Sequence, residues 1–186
     1  MNHYLFQLLN SVAGKNPFLD HVIIFVAKPL TILVLIGALI FLFYHDPEIH
    51  RKMGYKSIHK MRIRIFGAVI LSILFAIGIA EVMKVAFMIP RPVHLLEESY
   101  TLLVPRSFSF PSVYAALLAA LSAGVYFFHH KAGKVIAFLA IIVGIARIMA
   151  GAHFPFDIFV GYFIGIISAI FIFGQLFPKE RRMLKL

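Results

Sequence analysis

The sequence has 186 residues, 61% of them hydrophobic and only 14% charged, and a mean hydropathy of +0.93, which excludes an ordinary soluble domain of this size. It contains no cysteine, so a disulfide framework, a thiolate metal site and a cysteine nucleophile are all excluded. The net charge of +10, from 18 Lys and Arg against 8 Asp and Glu, points in so apolar a chain to anionic headgroups and topology signals, and nucleic acid is not an expected partner.

The first residues, MNHYLFQLLNSVAG, place Tyr4, Leu5, Leu8, Leu9 and Val12 on one helical face, too short to span a bilayer. They read as an interfacial helix, with a loose tail or pro-segment as the blander alternative. No cleavable signal peptide is expected, because a basic start and a small-residue cleavage site are both missing. Five apolar runs then follow, roughly Val22–Tyr44, Ile63–Met88, Pro111–Phe128, Val135–Ala152 and Pro155–Phe177. Each is long enough, or nearly so, for a hydrocarbon core that needs about 20 helical residues. The runs are continuous rather than alternating, which argues against a β-barrel. The expected fold is a single all-α domain, 1–186, a polytopic membrane bundle of about five spanning helices plus the interfacial one.

Five crossings divide the basic residues unequally. One face receives Arg51, Lys52, Lys56, Lys60, Arg62, Arg64, Lys131, Lys134, Lys179, Arg181, Arg182 and Lys185; the other receives Lys15, Lys28, Lys84, Arg91, Arg106 and Arg147. The richer face is expected to be cytoplasmic, with the N-terminus outside and the C-terminus inside. Most of its charges read as topology determinants exposed to solvent.

The chemistry gathers at the opposite face. Lys84 and Arg91 in EVMKVAFMIPRP are close to two helical turns apart, so the spacing projects them to one side before Pro90 and Pro92 stop the helix. In SFPSVYAA, Pro111 suits a first helical position and Ser112 a helix N-terminus, where the hydroxyl serves as a cap or a phosphate ligand. In ARIMAGAHFPFD, Arg147 closes one helix, His153 follows, and Asp157 lies in the first turn of the next. Three cations, a Ser at a helix start and a His beside an Asp suit a tetrahedral dianion such as phosphate. The carboxylate can hold the imidazole in one tautomer and leave its other nitrogen free to attack. Lys84, Arg91 and Arg147 would neutralise the phosphoryl oxygens in the transition state. One His and one Asp among cations make a poor metal site, so neither metal nor other cofactor is expected.

These residues resemble the motifs of the type-2 phosphatidic acid phosphatase family. Lys84 with Arg91-Pro92 is similar to its first motif, Lys-x6-Arg-Pro. Pro111-Ser112 resembles the start of its second, Pro-Ser-x-His, and Arg147, His153 and Asp157 resemble its third, Ser-Arg-x5-His-x3-Asp. The three stand in the family's order over residues 84–157, and size and helix arrangement look most like its small bacterial undecaprenyl-diphosphate phosphatases. The resemblance implies that His153 becomes phosphorylated, oriented by Asp157. It implies a lipid phosphate of the bilayer as substrate: a polyprenyl diphosphate, such as undecaprenyl diphosphate, or a phospholipid phosphate.

Two positions depart from the pattern. Tyr114 stands where the family has the His that protonates the leaving group, and Ala146 where it has a Ser. Loss of a general acid costs about 10²–10⁴-fold in rate. An alcohol leaving group needs that proton far more than a lipid phosphate leaving from a diphosphate does. Tyr114 remains open as a poor acid of ordinary pKa about 10 or as a packed aromatic, and His94 as a substitute acid or a solvated loop residue. Glu97 and Glu98 read as solvated. The alternative function is a catalytically impaired relative that binds lipid phosphate without turnover. A transporter is disfavoured, because the charges gather at one surface instead of lining a path.

Overall fold

The computed structural model describes residues 2–45, 55–96, 99–103 and 107–178. Glu97, Glu98, Arg106 and the basic residues 51, 52, 179, 181, 182 and 185 lie outside the described residues, and so does the side chain of Lys56. The described residues form eight helices: α1 (Asn2–Asn10), α2 (Pro17–Ala27), α3 (Pro29–Tyr44), α4 (Tyr55–Phe87), α5 (Pro92–Leu95), α6 (Val113–Tyr126), α7 (His130–Met149) and α8 (Pro155–Leu176). This is an all-α membrane bundle.

Among the described residues, four stretches are long and apolar enough to cross a membrane: Pro17–Tyr44, His59–Leu95, His130–Met149 and Pro155–Leu176. The expected third span is shorter than anticipated. α6 has 14 residues, about 21 Å at 1.5 Å per residue against a core of about 30 Å. Its N-terminal part is replaced by an irregular approach through Ser107–Ser112, because Ser112 and not Pro111 begins the helix, accepting from the Ala115 N–H at 3.4 Å. Such backbone is tolerated at membrane depth where protein surrounds it, and Ser109, Pro111 and Ser112 are all buried.

The expected first span is found, but broken. Asn16 caps α2 by accepting from Phe18 and Leu19, with Pro17 in the first turn. At Lys28 the backbone leaves helical geometry, Pro29 offers no N–H, and the Thr31 N–H bonds to Lys28 O at 3.2 Å. The carbonyl of Ala27 is thereby released from the helical ladder.

α1 is the expected short helix. Phe6 and Asn10 turn inward, while Tyr4, Leu5 and Leu8 point outward. Asn10 holds the helix down: its side-chain amide donates to Tyr100 O (2.8 Å) and Met149 O (2.9 Å), and its oxygen accepts from the Tyr100 N–H (2.9 Å).

α6 is the central element, packed against α3, α4, α7 and α8. Its buried face is rich in small residues, with Ala115, Ala116, Ala119, Ala120 and Gly124, so neighbours approach its backbone closely. α8 approaches through Gly161 and Gly165. A Cβ on Gly165 would lie 2.3 Å from Ala116 O, and one on Gly161 would lie 2.6 Å from Ser112 O. The GYFIG pattern therefore makes a contact within the chain. At the far end Arg62 donates to Phe43 O (3.0 Å) and Arg64 to Leu176 O (2.7 Å) with its guanidinium over Phe177. Beyond any topological role, these two cations satisfy terminal carbonyls of α3 and α8.

The seam yields a direct expectation. Gly165→Ala must push α8 off α6 and lose about 1–3 kcal/mol, seen as a lower thermal midpoint in detergent. Gly37→Ala, where an added Cβ meets nothing within 4 Å, should leave the midpoint unchanged or slightly raised.

Candidate active site

Lys84 and Arg91 do not converge by helical periodicity. α4 ends at Phe87, Met88 takes a left-handed φ of 47°, and Arg91 stands at the N-cap of α5. The turn lays Ile89 beside Ser109, whose N–H donates to Ile89 O at 2.8 Å, and this sends Arg91 into the bundle. The Arg91 guanidinium donates from Nε to Ser107 O (2.6 Å), from Nη2 to Ser107 Oγ (3.1 Å) and Phe108 O (3.0 Å), and from Nη1 to Ala152 O. Arg147, at the end of α7, donates from Nη1 to Ala27 O at 3.0 Å, the carbonyl released by the break in the first span. It is buried rather than snorkelling to the surface.

Between α7 and α8 the chain reverses at Gly151, whose φ of 76° suits glycine; a Cβ there would also lie 2.4 Å from Tyr100 O. The reversal carries His153 back against both arginines. Its Nε2 lies 3.1 Å from Arg147 Nη2 and 3.4 Å from Arg91 Nη1. Guanidinium nitrogens only donate, so Nε2 is the acceptor and the ring proton belongs on Nδ1. That nitrogen faces Asp157 Oδ2 at 3.6 Å, too far for a hydrogen bond, and has no other partner among the described residues.

Asp157 Oδ2 is engaged elsewhere. It accepts from Ser109 Oγ at 2.5 Å and, as the third residue of α8, from the Phe154 N–H at 2.9 Å. Asp157 also ties α8 to α6, its backbone carbonyl accepting from the Ser112 N–H at 3.0 Å. His153 is 1% exposed. Burial, reinforced by the Arg147 and Arg91 charges and opposed by Asp157, holds its pKa far below the ordinary 6.5.

The structure thus brings together Arg91, Arg147, His153 and Asp157. Ser112 joins them through its backbone, its hydroxyl capping α6. Lys84 is buried and senses the charges of Arg91, Arg147 and Asp157, yet its ammonium lies 3.9 Å from Glu81 Oε1. Tyr114 places its ring over Arg147, with the guanidinium carbon 3.9 Å from the ring centroid. His94 is exposed on α5. The sequence reading missed Ser107 and Ser109, since serines in SFSFPS carry no signal separating a ligand to Arg91 or Asp157 from ordinary loop residues. It also missed the carbonyls of Ala27, Ser107, Phe108 and Ala152, which no side-chain pattern encodes.

The model of the PAP2 superfamily matches residues 66–181. The chain belongs to that superfamily. The Bacillus licheniformis bacitracin transport permease protein BcrC is 40% identical over 65 residues, 35% of this chain and 32% of that protein, so the match spans about a third of that relative. Among solved structures, Aquifex aeolicus LpxE is 32% identical with a TM-score of 0.71, covering 92% of this chain and 93% of that one. The first transmembrane PAP2 type phosphatidylglycerolphosphate phosphatase from Bacillus subtilis has a TM-score of 0.61 at 18% identity, over 93% of this chain and 85% of its own, a likeness of fold. The match runs from within α4 to beyond α8, and so takes in Lys84, Arg91, Ser112, Tyr114, Arg147, His153 and Asp157, while the Ala27 carbonyl lies outside it.

Neutral His153 has a pH signature. The folded state resists protonation that the unfolded chain accepts near 6.5, so the unfolded state binds more protons below that pH. Stability is therefore unaffected by this group above about 6.5 and falls as pH drops below it. In ¹⁵N-histidine NMR, the His153 ring, assigned by its loss in His153→Gln, should stay in the neutral Nδ1–H form from pH 8 to 5.5.

Proposed function

We propose that this chain is a multi-pass membrane hydrolase that removes the terminal phosphate of a membrane lipid, by attack of His153 Nε2 on phosphorus. The substrate class is a polyprenyl diphosphate, such as undecaprenyl diphosphate, or a phospholipid phosphate. One observation carries the reading: a neutral, buried imidazole presents its lone pair toward the donor edges of two guanidinium groups. Nucleophile and charge stabilisation thus converge on the volume that a phosphoryl group must occupy.

In the attack, Nε2 forms a bond to phosphorus, and the bond to the lipid oxygen breaks, leaving its electron pair on that oxygen. Arg91 and Arg147 exchange their contacts to Nε2 for contacts to the phosphoryl oxygens, and Lys84 adds a further positive charge. The imidazolium-like ring that develops donates from Nδ1 to Asp157, which closes the present 3.6 Å gap. Water then attacks phosphorus and the electron pair returns to Nε2. This chemistry needs no metal ion, since the cations of the site are guanidinium and ammonium groups.

The match with a phosphatase structure at low identity supports only the fold, while the family membership and the constellation at His153 support the reaction class. A second reading, lipid-phosphate binding without turnover, is favoured by one observation, the presence of Tyr114 at the position of the motif acid. Phosphate release from undecaprenyl diphosphate and phosphatidate, in detergent with EDTA, decides between them. Turnover should persist in EDTA and fall about 10³-fold or more in His153→Ala. Absence of turnover in the unaltered chain, with binding that depends on Arg91 and Arg147, would establish the second reading.

We further propose that the site faces the extracytoplasmic side, which the distribution of Lys and Arg supports. The chain has no cysteine, so single cysteines report orientation cleanly. A membrane-impermeant maleimide should label Ser99→Cys in intact cells, and Lys134→Cys only after permeabilisation.

A further inference from the structure

Tyr114 is the second residue of α6, two positions after the cap Ser112. Its ring lies against the face of the Arg147 guanidinium, 3.9 Å from centroid to Cζ. Arg147 is therefore held on three sides: Ala27 O takes Nη1, His153 Nε2 lies 3.1 Å from Nη2, and the aromatic face covers the plane. Its Nε is buried with no hydrogen-bond partner among the described residues, so attraction to the ring offsets part of a desolvation that hydrogen bonds leave uncompensated. This attraction uses the π face. The hydroxyl lies in the ring plane and contributes nothing to it. The position that in the motif carries a proton donor is here used for a flat shelf beneath a cation.

We propose that Tyr114 is a positioning residue, whose ring fixes the fork of Arg147 toward the phosphoryl group, and that the site therefore selects substrates whose leaving group departs without a proton. That class is the diphosphate ester. When the bridging bond breaks, its electron pair goes to an oxygen of the departing lipid monophosphate, whose remaining oxygens share the charge. A monoester would instead have to release an alkoxide, for which this position offers a phenol in place of the more acidic imidazolium of the motif. The proposal rests on the phosphatase reading above for its substrate clause, while the shelf clause stands on geometry alone.

The experiment uses the full chain in detergent with Tyr114→Phe, Tyr114→Leu and Tyr114→His, and reads two quantities. The first is the affinity for inorganic phosphate by calorimetry. Tyr114→Leu should weaken it about tenfold, and Tyr114→Phe, which keeps the face and lacks the hydroxyl, should recover most of that loss. The second is kcat and KM, across pH, on a long-chain prenyl diphosphate and the matching prenyl monophosphate. The unaltered chain should favour the diphosphate by at least about 10²-fold, the lower end of what a general acid contributes. Tyr114→His should narrow that preference by raising monophosphate turnover and should add an ionisation to the pH profile. If Tyr114→Phe loses turnover as severely as Tyr114→Leu while phosphate affinity stays intact, the hydroxyl is the acid and the proposal is overturned. Unchanged phosphate affinity in Tyr114→Leu removes the shelf, and equal rates on the two substrates remove the selectivity. If the unaltered chain turns over neither substrate, the phosphatase reading fails and the substrate clause falls with it, while the phosphate titration still decides the shelf.

Discussion

A guanidinium group inside an apolar bundle must be solvated by protein or not be there at all, and this requirement organises the structure. Arg91 and Arg147 lie at 2% and 4% exposure, where an unpaired charge would cost several kcal/mol. Asp157 cannot compensate them alone, because one of its oxygens already serves Ser109 and Phe154. Main-chain carbonyls do most of the work: Ser107, Phe108 and Ala152 for Arg91, and Ala27 for Arg147. Carbonyls released from the helical ladder, with both lone pairs available, arise where helices are interrupted or end. The break at Lys28–Pro29, the extended approach to α6 and the reversal at Gly151 are therefore the means by which two charges are kept inside.

That arrangement also explains the state of His153. Arg91 is bonded along its outer edge and Arg147 through Nη1 to Ala27 O, and each turns a donor toward Nε2, so the imidazole is held neutral and of one tautomer by neighbours that cannot accept a proton. Asp157 stands close enough to stabilise a charge appearing on the ring, yet spends its hydrogen bonds on α8 and Ser109 while the ring is neutral. The close seam of Gly161 and Gly165 against α6 fixes the distance between Ser112 and Asp157. Positioning of the acid thus depends on helix packing two turns deeper.

Much of this was legible in the sequence because hydrocarbon imposes a strong pattern. Apolar runs gave the helices, and the isolated polar residues Lys84, Arg91, Arg147, His153 and Asp157 stood out because such residues are costly there. Two things escaped. The route by which Lys84 and Arg91 come near each other was misjudged, since Pro90 and Pro92 suggested a helix running to its stop, whereas the chain leaves α4 at Met88 in a conformation that no methionine announces. The length of α6 was overestimated too, because Pro111 suits a first helical position and Phe127 and Phe128 continue the apolar run, although the helix proper is Val113–Tyr126. Composition reports burial well and backbone path poorly. Tyr114 was open between acid and packing residue, and only the stacked geometry gave its ring a partner.

The reliance of the arginines on main-chain oxygens has a consequence for how this site can be dissected or altered. Alanine scanning leaves every accepting carbonyl in place: it would register only the hydroxyl contact at Ser107 and the ring at Phe108, and it cannot test Ala27 and Ala152, which are already alanine. The carbonyls' contribution becomes visible only when the amide itself is changed, as by an ester bond that weakens the carbonyl as an acceptor, or when the chain's path is rerouted. For a designer, what those positions must preserve above all is the course of the main chain. A transplant of Arg147, His153 and Asp157 onto an unbroken helical bundle would carry the side chains across and leave behind the backbone that makes them tolerable.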